Sequence, residues 1–225
     1  MGRERELDTI PIFPLENVVL FPRVPVPLYM FEPRYRQMTA DAIDEGGVIG
    51  MVTVRPEHRD EMAQDPPVFP IGCAGRISQS QRRPDGTFNV SLLGLHRFRI
   101  LDEPDKPAGR LYRSAVVERL ADPLPSESRE RIRSLRGEVF AHVCQIVRIT
   151  ERSPSPEDAL RTLDEMKDEL FVNSLSQSLD FAPLEKQGLL EAETLALRFE
   201  RLAGLLSFQL ATLRGGAAPD RGLLH

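Results

Sequence analysis

The apolar residues of this chain change period near Leu120, and that change restricts what the chain can fold into. Over residues 9–120 they alternate with polar residues or come in short runs, broken repeatedly by proline and glycine. From Glu127 onward they recur at helical spacing. Alternation puts one set of side chains on one face of a strand, whereas a spacing of roughly three to four lines one face of a helix. The pattern predicts an α+β chain: a β-rich barrel or sandwich over 9–121 with one inserted helix, an all-α helical subdomain over 126–214, and a flexible tail over 215–225. The boundary falls at Pro123 to Pro125.

Within the β-rich part, Ile10, Ile12 and Leu15 sit among Pro11 and Pro14, which suits an edge or irregular strand. Residues 18–21 and 26–30 read as further strands. Pro33 opens a helix carrying Tyr35, Met38, Ala42 and Ile43, which Gly46-Gly47 ends. Residues 48–54 form a strand, and 55–67 an exposed loop with little order. Strands over 69–79 and 87–95 flank the turn Pro84-Asp85-Gly86. Phe88, Val90 and Leu92 alternate there with Asn89 and Ser91, giving one buried and one wet face. Gly75 and Gly94 mark bulges or barrel corners. Residues 97–101 and 111–120 complete the strands.

In the helical part Ile132, Leu135, Val139, Val143 and Ile146 form one stripe. Ser155 caps a next helix, with Pro156 and Asp158 following, that carries Leu160, Leu163, Leu170 and Phe171. A short segment over 183–190 precedes a last helix bearing Leu195, Phe199, Leu202, Leu206 and Leu213.

With 29 basic and 34 acidic residues in 225, the chain has a formal charge of -5, which disfavours the dense positive field of a non-specific nucleic-acid binder. Cys73 and Cys144 are far apart, so no disulfide framework or thiolate zinc site is indicated, and a reducing, cytoplasmic location is expected. The first residues lack a signal-peptide core, and no apolar run is long enough to span a bilayer, so no membrane partner is expected. His58, His96, His142 and His225 are scattered, with no metal-binding spacing, and no cofactor is expected.

The segment IPIFPLENVVLFPRVPVPLYMFEPRYRQM, residues 10–38, is similar to the opening of the N-terminal substrate-binding domain of the Lon proteases. Ile71-Gly72-Cys73-Ala74, Pro84-Asp85-Gly86-Thr87 and Gly94-Leu95-His96-Arg97-Phe98 follow in the order and spacing of that family. The run FVNSLSQSLDFAPLEKQGLLEAET, residues 171–194, resembles the helical part of its stand-alone bacterial members. The resemblance implies a PUA-like β pseudo-barrel, a helical C-terminal subdomain, and a role in holding exposed or unfolded polypeptide.

The catalytic parts of full-length Lon have no counterpart in the sequence. None of the three lysines, Lys106, Lys167 and Lys186, follows a glycine in a phosphate-loop pattern. Their charged or loop settings do not favour the desolvation that a serine-lysine dyad requires. Cys73, between Gly72 and Ala74 on a strand, reads as a buried, inert thiol. The expectation is a binding module and not an enzyme.

Two sets of residues are candidates for binding. Phe31, Arg34 and Tyr35 lie where the chain enters its first helix. They line an apolar groove with an arginine for carboxylates or carbonyls, or else Phe31 and Tyr35 staple the helix to the barrel. Arg76, Arg82, Arg83, Arg97 and Arg99 face a single acid, Asp85, within one hairpin region. They attract an acidic peptide segment or RNA, or else occupy the wet face of a sheet. An RNA-binding PUA-like protein using this arginine-rich hairpin is the alternative to polypeptide binding, and a hydrolase with no identifiable nucleophile ranks last.

Overall fold

The computed structural model describes residues 7–121, 128–150 and 156–215. Pro123 to Pro125, the cap assigned to Ser155 and the tail beyond Gly215 lie outside them. The described chain divides into two compact units. One comprises residues 7–121 and 173–191, the other residues 128–150, 156–172 and 192–215. No helix of the described residues is long and apolar enough to cross a membrane.

The first unit is a β pseudo-barrel. Its strands are β1 (Leu7–Leu15), β2 (Pro25–Met30), β3 (Val48–Thr53), β4 (Ile71–Arg82), β5 (Phe88–Asp102) and β6 (Arg113–Leu120). They form one sheet in the order β2-β5-β4-β3-β1-β6, and a further β5–β6 pairing closes it. Only β1 and β3 run parallel. β5 makes the closure possible by changing partner along its length. Residues 88–93 pair with β2 and residues 97–102 with β6, while β4 runs along its other edge. The two segments expected as separate strands over 87–95 and 97–101 are thus one long bent strand.

Ile12, Val52, Ala74, Phe98, Ala115 and Val117 form a buried cluster inside the closed part, with Ile10, Val48, Val68 and Ile100 packed against it. Burial of a ring such as Phe98 contributes about 1.5–3 kcal/mol. Phe98 fits because Gly72 lies beneath it: a Cβ there would come within 2.6 Å of the Phe98 ring and 2.5 Å of the Met51 carbonyl oxygen. The expected corner at Gly75 and Gly94 is present as a register shift, since Ala74 pairs with His96 but Gly75 with Gly94.

Helix α1 (Pro33–Asp44) starts on Pro33, whose missing N–H costs nothing at that position, and buries Tyr35, Met38, Thr39 and Ala42 at helical spacing. Residues 18–21, expected as a strand, are irregular instead. Val19, Leu20 and Phe21 are buried, but Pro22 follows, and the neighbouring backbone bonds Gly94 through Arg23 N–H at 2.8 Å and the Val24 carbonyl at 3.0 Å. Apolar content alone does not distinguish a strand from a buried irregular stretch. The loop over 55–67 contains a 3₁₀ segment, Pro56–Gln64, that buries no residue. Its ends are joined by Arg55 N–H on the Pro67 carbonyl at 3.0 Å.

The helices that follow are α2 (Ser128–Thr150), α3 (Pro156–Glu165), α4 (Asp168–Ser178), α5 (Pro183–Leu190) and α6 (Leu195–Arg214). In the second unit α2 packs on α6. Ile132, Val139, Val143 and Ile146 of one helix and Phe199, Leu202, Leu206 and Leu210 of the other are buried. The single helix expected over Leu160 to Phe171 is two helices, α3 and α4. Arg136 occupies the break, donating to the Asp164 carbonyl at 2.7 Å and to the Asp168 carboxylate at 3.1 Å, with its guanidinium 4.1 Å from the Phe171 ring centroid. It satisfies a carbonyl that the end of α3 leaves open and complements the acidic first turn of α4.

Residues 173–191 belong to the barrel unit and are tied to it by polar side chains. Asn173 donates to the Pro22 carbonyl at 3.0 Å, and Phe21 N–H donates to the Gln177 side-chain oxygen at 3.3 Å. On α5, Gln187 donates to the Ile71 carbonyl at 2.9 Å.

Candidate functional site

One part of the sheet is not closed into the barrel. There β2, β5 and the distal half of β4 lie side by side with one face packed inward and one turned to solvent. The register Met30–Phe88–Arg82, Leu28–Val90–Ser80 and Val26–Leu92–Ile77 sends Met30, Phe88, Val90, Val26 and Leu92 inward, where they are buried. Their neighbours point the other way, because side chains alternate along a strand. The outer rows are Tyr29–Asn89–Gln81, Pro27–Ser91–Gln79 and Pro25–Leu93–Arg76.

This outer face holds an open groove of about 580 Å³, lined by Pro27, Tyr29, Gln79, Gln81, Asn89 and Ser91 with adjoining backbone. Among the described residues no carboxylate lines it. Tyr29 is 47% exposed and Phe31 59% exposed, and their rings stack at 5.7 Å with 30° between planes. The Arg83 guanidinium lies 5.8 Å from the Tyr29 ring centroid. The groove therefore combines a flat aromatic step, amide side chains that can donate and accept, and positive charge at one end.

The structure separates the residues that the sequence offers as candidates for binding. Phe31 and Arg76 belong to this outer face, one beside Tyr29 and the other in the row of Leu93. Tyr35 is buried and meets Phe13 edge-on at 4.5 Å. It is the staple of α1 to β1, and loss of water around its hydroxyl pushes its pKa up to about 12. Arg34 is paired with Glu32 at 2.9 Å and lies over the Tyr35 ring at 4.6 Å. Arg97 is a correction: only 2% exposed, it donates to the Leu190 carbonyl at 2.9 Å and holds α5 on the barrel, out of reach of a ligand. The expected patch of five arginines shrinks accordingly, since Arg99 stands opposite Glu118 at the far end of β5. Arg76 and Arg83 remain near the outer face, while Arg82 shares the row of Met30 and Phe88 and reaches over the Phe88 ring.

Tyr29, Gln79, Gln81 and Asn89 were not singled out from sequence. The wet face of β5 was legible in Asn89 and Ser91, but which residues of β2 and β4 flank them depends on a register that includes a shift between Ile77 and Gln79.

Other chemistry-bearing groups are engaged or isolated. Asp85 accepts from the Thr87 hydroxyl at 2.6 Å and from its N–H at 3.0 Å, and these bonds hold its carboxyl below the usual range. Lys186 donates to the Gln177 carbonyl at 2.8 Å, and Lys106 pairs with Asp65. Cys73 is fully buried. The described residues contain no group of three or more His, Cys, Asp or Glu able to hold a metal ion.

Comparison with known proteins places this architecture. The family model of the ATP-dependent protease La (LON) substrate-binding domain matches residues 9–207. Lon protease of Flavobacterium johnsoniae is 29% identical over 201 residues, covering 88% of this chain and 24% of that protein. Lon protease of Escherichia coli K12 is 26% identical over 216 residues, covering 95% of this chain and 26% of that protein. The chain thus spans about a quarter of the length of these relatives. Among solved structures, the N-terminal domain of Mycobacterium avium complex Lon protease superposes with a TM-score of 0.69 at 16% identity, covering 89% of this chain and 98% of that one. A Lon N-terminal domain protein from Xanthomonas campestris has a TM-score of 0.56 at 20% identity, with the same coverage. The barrel with its inserted helix and following helices is the fold of these domains, and with the family model matching residues 9–207 the chain belongs to the Lon substrate-binding domain family.

Proposed function

We propose that this chain is a non-catalytic polypeptide-binding module that holds exposed or unfolded segments of other proteins on the outer face of β2, β5 and β4. The observation that carries this reading is the solvent-facing Tyr29–Phe31 stack at the edge of a carboxylate-free groove lined by Gln79, Gln81 and Asn89. Amide side chains bond backbone N–H and C=O groups without regard to sequence, and exposed aromatic rings offer apolar contact at low entropic cost. Such a surface suits many polypeptides with modest affinity, because a flexible ligand loses entropy on ordering. The membership of the family supports it, and the buried Cys73 and the engaged Lys106 and Lys186 give no support to a nucleophile.

The test is a fluorescence titration of the protein with reduced, carboxamidomethylated α-lactalbumin, which stays unfolded, and with its native folded form. Binding to the unfolded form alone is expected. Equal binding to both forms, or none to either, removes the reading.

A second reading has one observation in its favour: an aromatic stack beside Arg83 also suits unpaired RNA bases. It predicts affinity that falls steeply with salt, against a chain whose formal charge is -5. Absence of a complex with single-stranded RNA at low salt disposes of it.

A further inference from the structure

The direction of each backbone amide in the open part of the sheet follows from one bond. Arg83 N–H donates to the Thr87 carbonyl at 2.9 Å across the hairpin turn. Hydrogen-bonded and non-bonded pairs alternate along an antiparallel ladder. The pairs Gln81–Asn89 and Gln79–Ser91 are therefore the bonded ones, and the amides of Ser80 and Arg82 point away from β5. β3 covers that edge of β4 only from Cys73 to Arg76, after which Ile77 N–H is held by the Gly47 carbonyl at 2.7 Å. Beyond Ile77 no strand of the described residues lies on this edge, and residues 78–82 are all exposed.

The opposite border of the same three strands differs. The alternation turns the backbone N–H and C=O groups of Phe88, Val90 and Leu92 of β5 toward β2, so Pro25, Pro27 and Tyr29 present their backbone outward. Two of those three positions are prolines with no N–H to offer. An end strand blunted in this way resists pairing with another chain. The β4 border carries no proline.

We propose that the bound polypeptide adds as a further strand along residues 78–82 of β4, and that the segment taken up is an extended one bearing carboxylates. This rests on the polypeptide-binding reading above and names its mode and its ligand. Strand addition draws affinity from main-chain bonds and specificity from side chains on alternate positions. The charge favours acid. Arg76, Arg82 and Arg83 lie along or at the ends of this strand segment, and Asp85, the one carboxylate between residues 76 and 93, is already engaged by Thr87.

Fluorescence anisotropy with a labelled peptide of alternating glutamate and valine, about ten residues long at ~3.4 Å per residue, tests this on the full chain. Its companions are a lysine-for-glutamate peptide and two acidic peptides N-methylated at every other amide, in either register. The acidic peptide should bind, the lysine peptide should bind more weakly, and at least one methylated register should bind about fivefold or more weakly. Ser80→Pro, which removes an outward donor and leaves the bonds to β5, should weaken binding to the same extent. If Ser80→Pro fails to fold by circular dichroism, the methylated peptides decide alone.

Unchanged binding of both methylated peptides overturns strand addition while the polypeptide-binding reading stands, provided unfolded α-lactalbumin still binds. Equal affinity for the lysine peptide overturns the acidic preference. Binding of neither peptide nor unfolded protein overturns both, and tighter binding of a single-stranded oligouridylate than of the acidic peptide does so in favour of nucleic acid.

Discussion

The Thr53 hydroxyl donates to the side-chain carbonyl of Gln187 at 2.7 Å, a fully buried bond between residues 134 positions apart. The same Gln187 side chain donates to the Ile71 carbonyl at 2.9 Å and to the Glu191 carboxylate at 3.0 Å. One amide thus ties α5 to both β3 and β4. Replacing Gln187 with Ala withdraws these partners from the buried Thr53 hydroxyl and Ile71 carbonyl, and should destabilise the protein by ~2–3 kcal/mol in urea unfolding. The double variant Thr53→Val with Gln187→Leu should lose less than Gln187→Ala alone, since it leaves fewer buried polar groups unpartnered.

Backbone proximity makes a second expectation. A Cβ on Gly94 would lie 2.0 Å from the Phe21 carbonyl oxygen, which belongs to the chain and cannot rotate aside. Gly94→Ala should cost about 2 kcal/mol or more. Gly204, within α6 and with nothing inside 4 Å of its would-be Cβ, should behave in the opposite way. Gly204→Ala should gain up to ~1 kcal/mol of helix stability, so thermal denaturation should move in opposite directions for the two alanines.

Three arginines from the same hairpin region should part company. Arg97→Met leaves the Leu190 carbonyl without its donor and should lower stability by ~1–3 kcal/mol. Arg76→Gln and Arg83→Gln lie on exposed positions and should stay within about 0.5 kcal/mol of the parent in stability, while weakening the capture of acidic unfolded protein. A stability loss at Arg76 equal to that at Arg97 would contradict the placement of Arg76 on the ligand-facing side.

The exposed ring pair supplies a direct probe of the binding face. Tyr29→Ala or Phe31→Ala removes one ring of a stack that meets solvent. Each should weaken binding of unfolded α-lactalbumin by ~1–2 kcal/mol if the stack is an anchor. Unfolding midpoints should hardly move, and unchanged affinity in both variants would move the binding face elsewhere.

Alkaline pH should reveal the buried phenols. Burial pushes Tyr35 to about 12 from the ordinary value of 10.0. At Tyr112 burial, together with the hydrogen bond that its hydroxyl donates to Asp41 at 2.9 Å, has the same result, also about 12. A raised pKa means that the folded state holds the proton more tightly than the unfolded one. The stability from these groups is full below pH 10 and is lost as pH rises from 10 toward 12. Phenolate absorbance should show two late-titrating tyrosines, and Tyr35→Phe should remove one of them.

How much of this was legible without coordinates depended on the range of the interaction involved. The helix from Pro33, the turn at Pro84-Asp85-Gly86 and the wet face of β5 at Asn89 and Ser91 are set by neighbouring residues, and all three are present. The break between α3 and α4 was not legible, because Arg136, which stabilises it, lies far away in sequence. Residues 173–191 likewise carry helical spacing but belong to the barrel unit, through Asn173, Gln177 and Gln187 bonding backbone and side chains of the strands.

Read alone, the order of apolar and polar residues with its prolines and glycines determined an α+β chain, the family it resembles, and the general position of one exposed hairpin. Folding decided which side chains on that hairpin share a face. It buried Arg97 under α5, set Tyr35 against Phe13, and left Tyr29, Phe31 and Arg76 in solvent. The physical reason is that a strand's period places a residue on one of two sides, while pairing register and the partner across it decide whether that side meets water, another helix or a ligand.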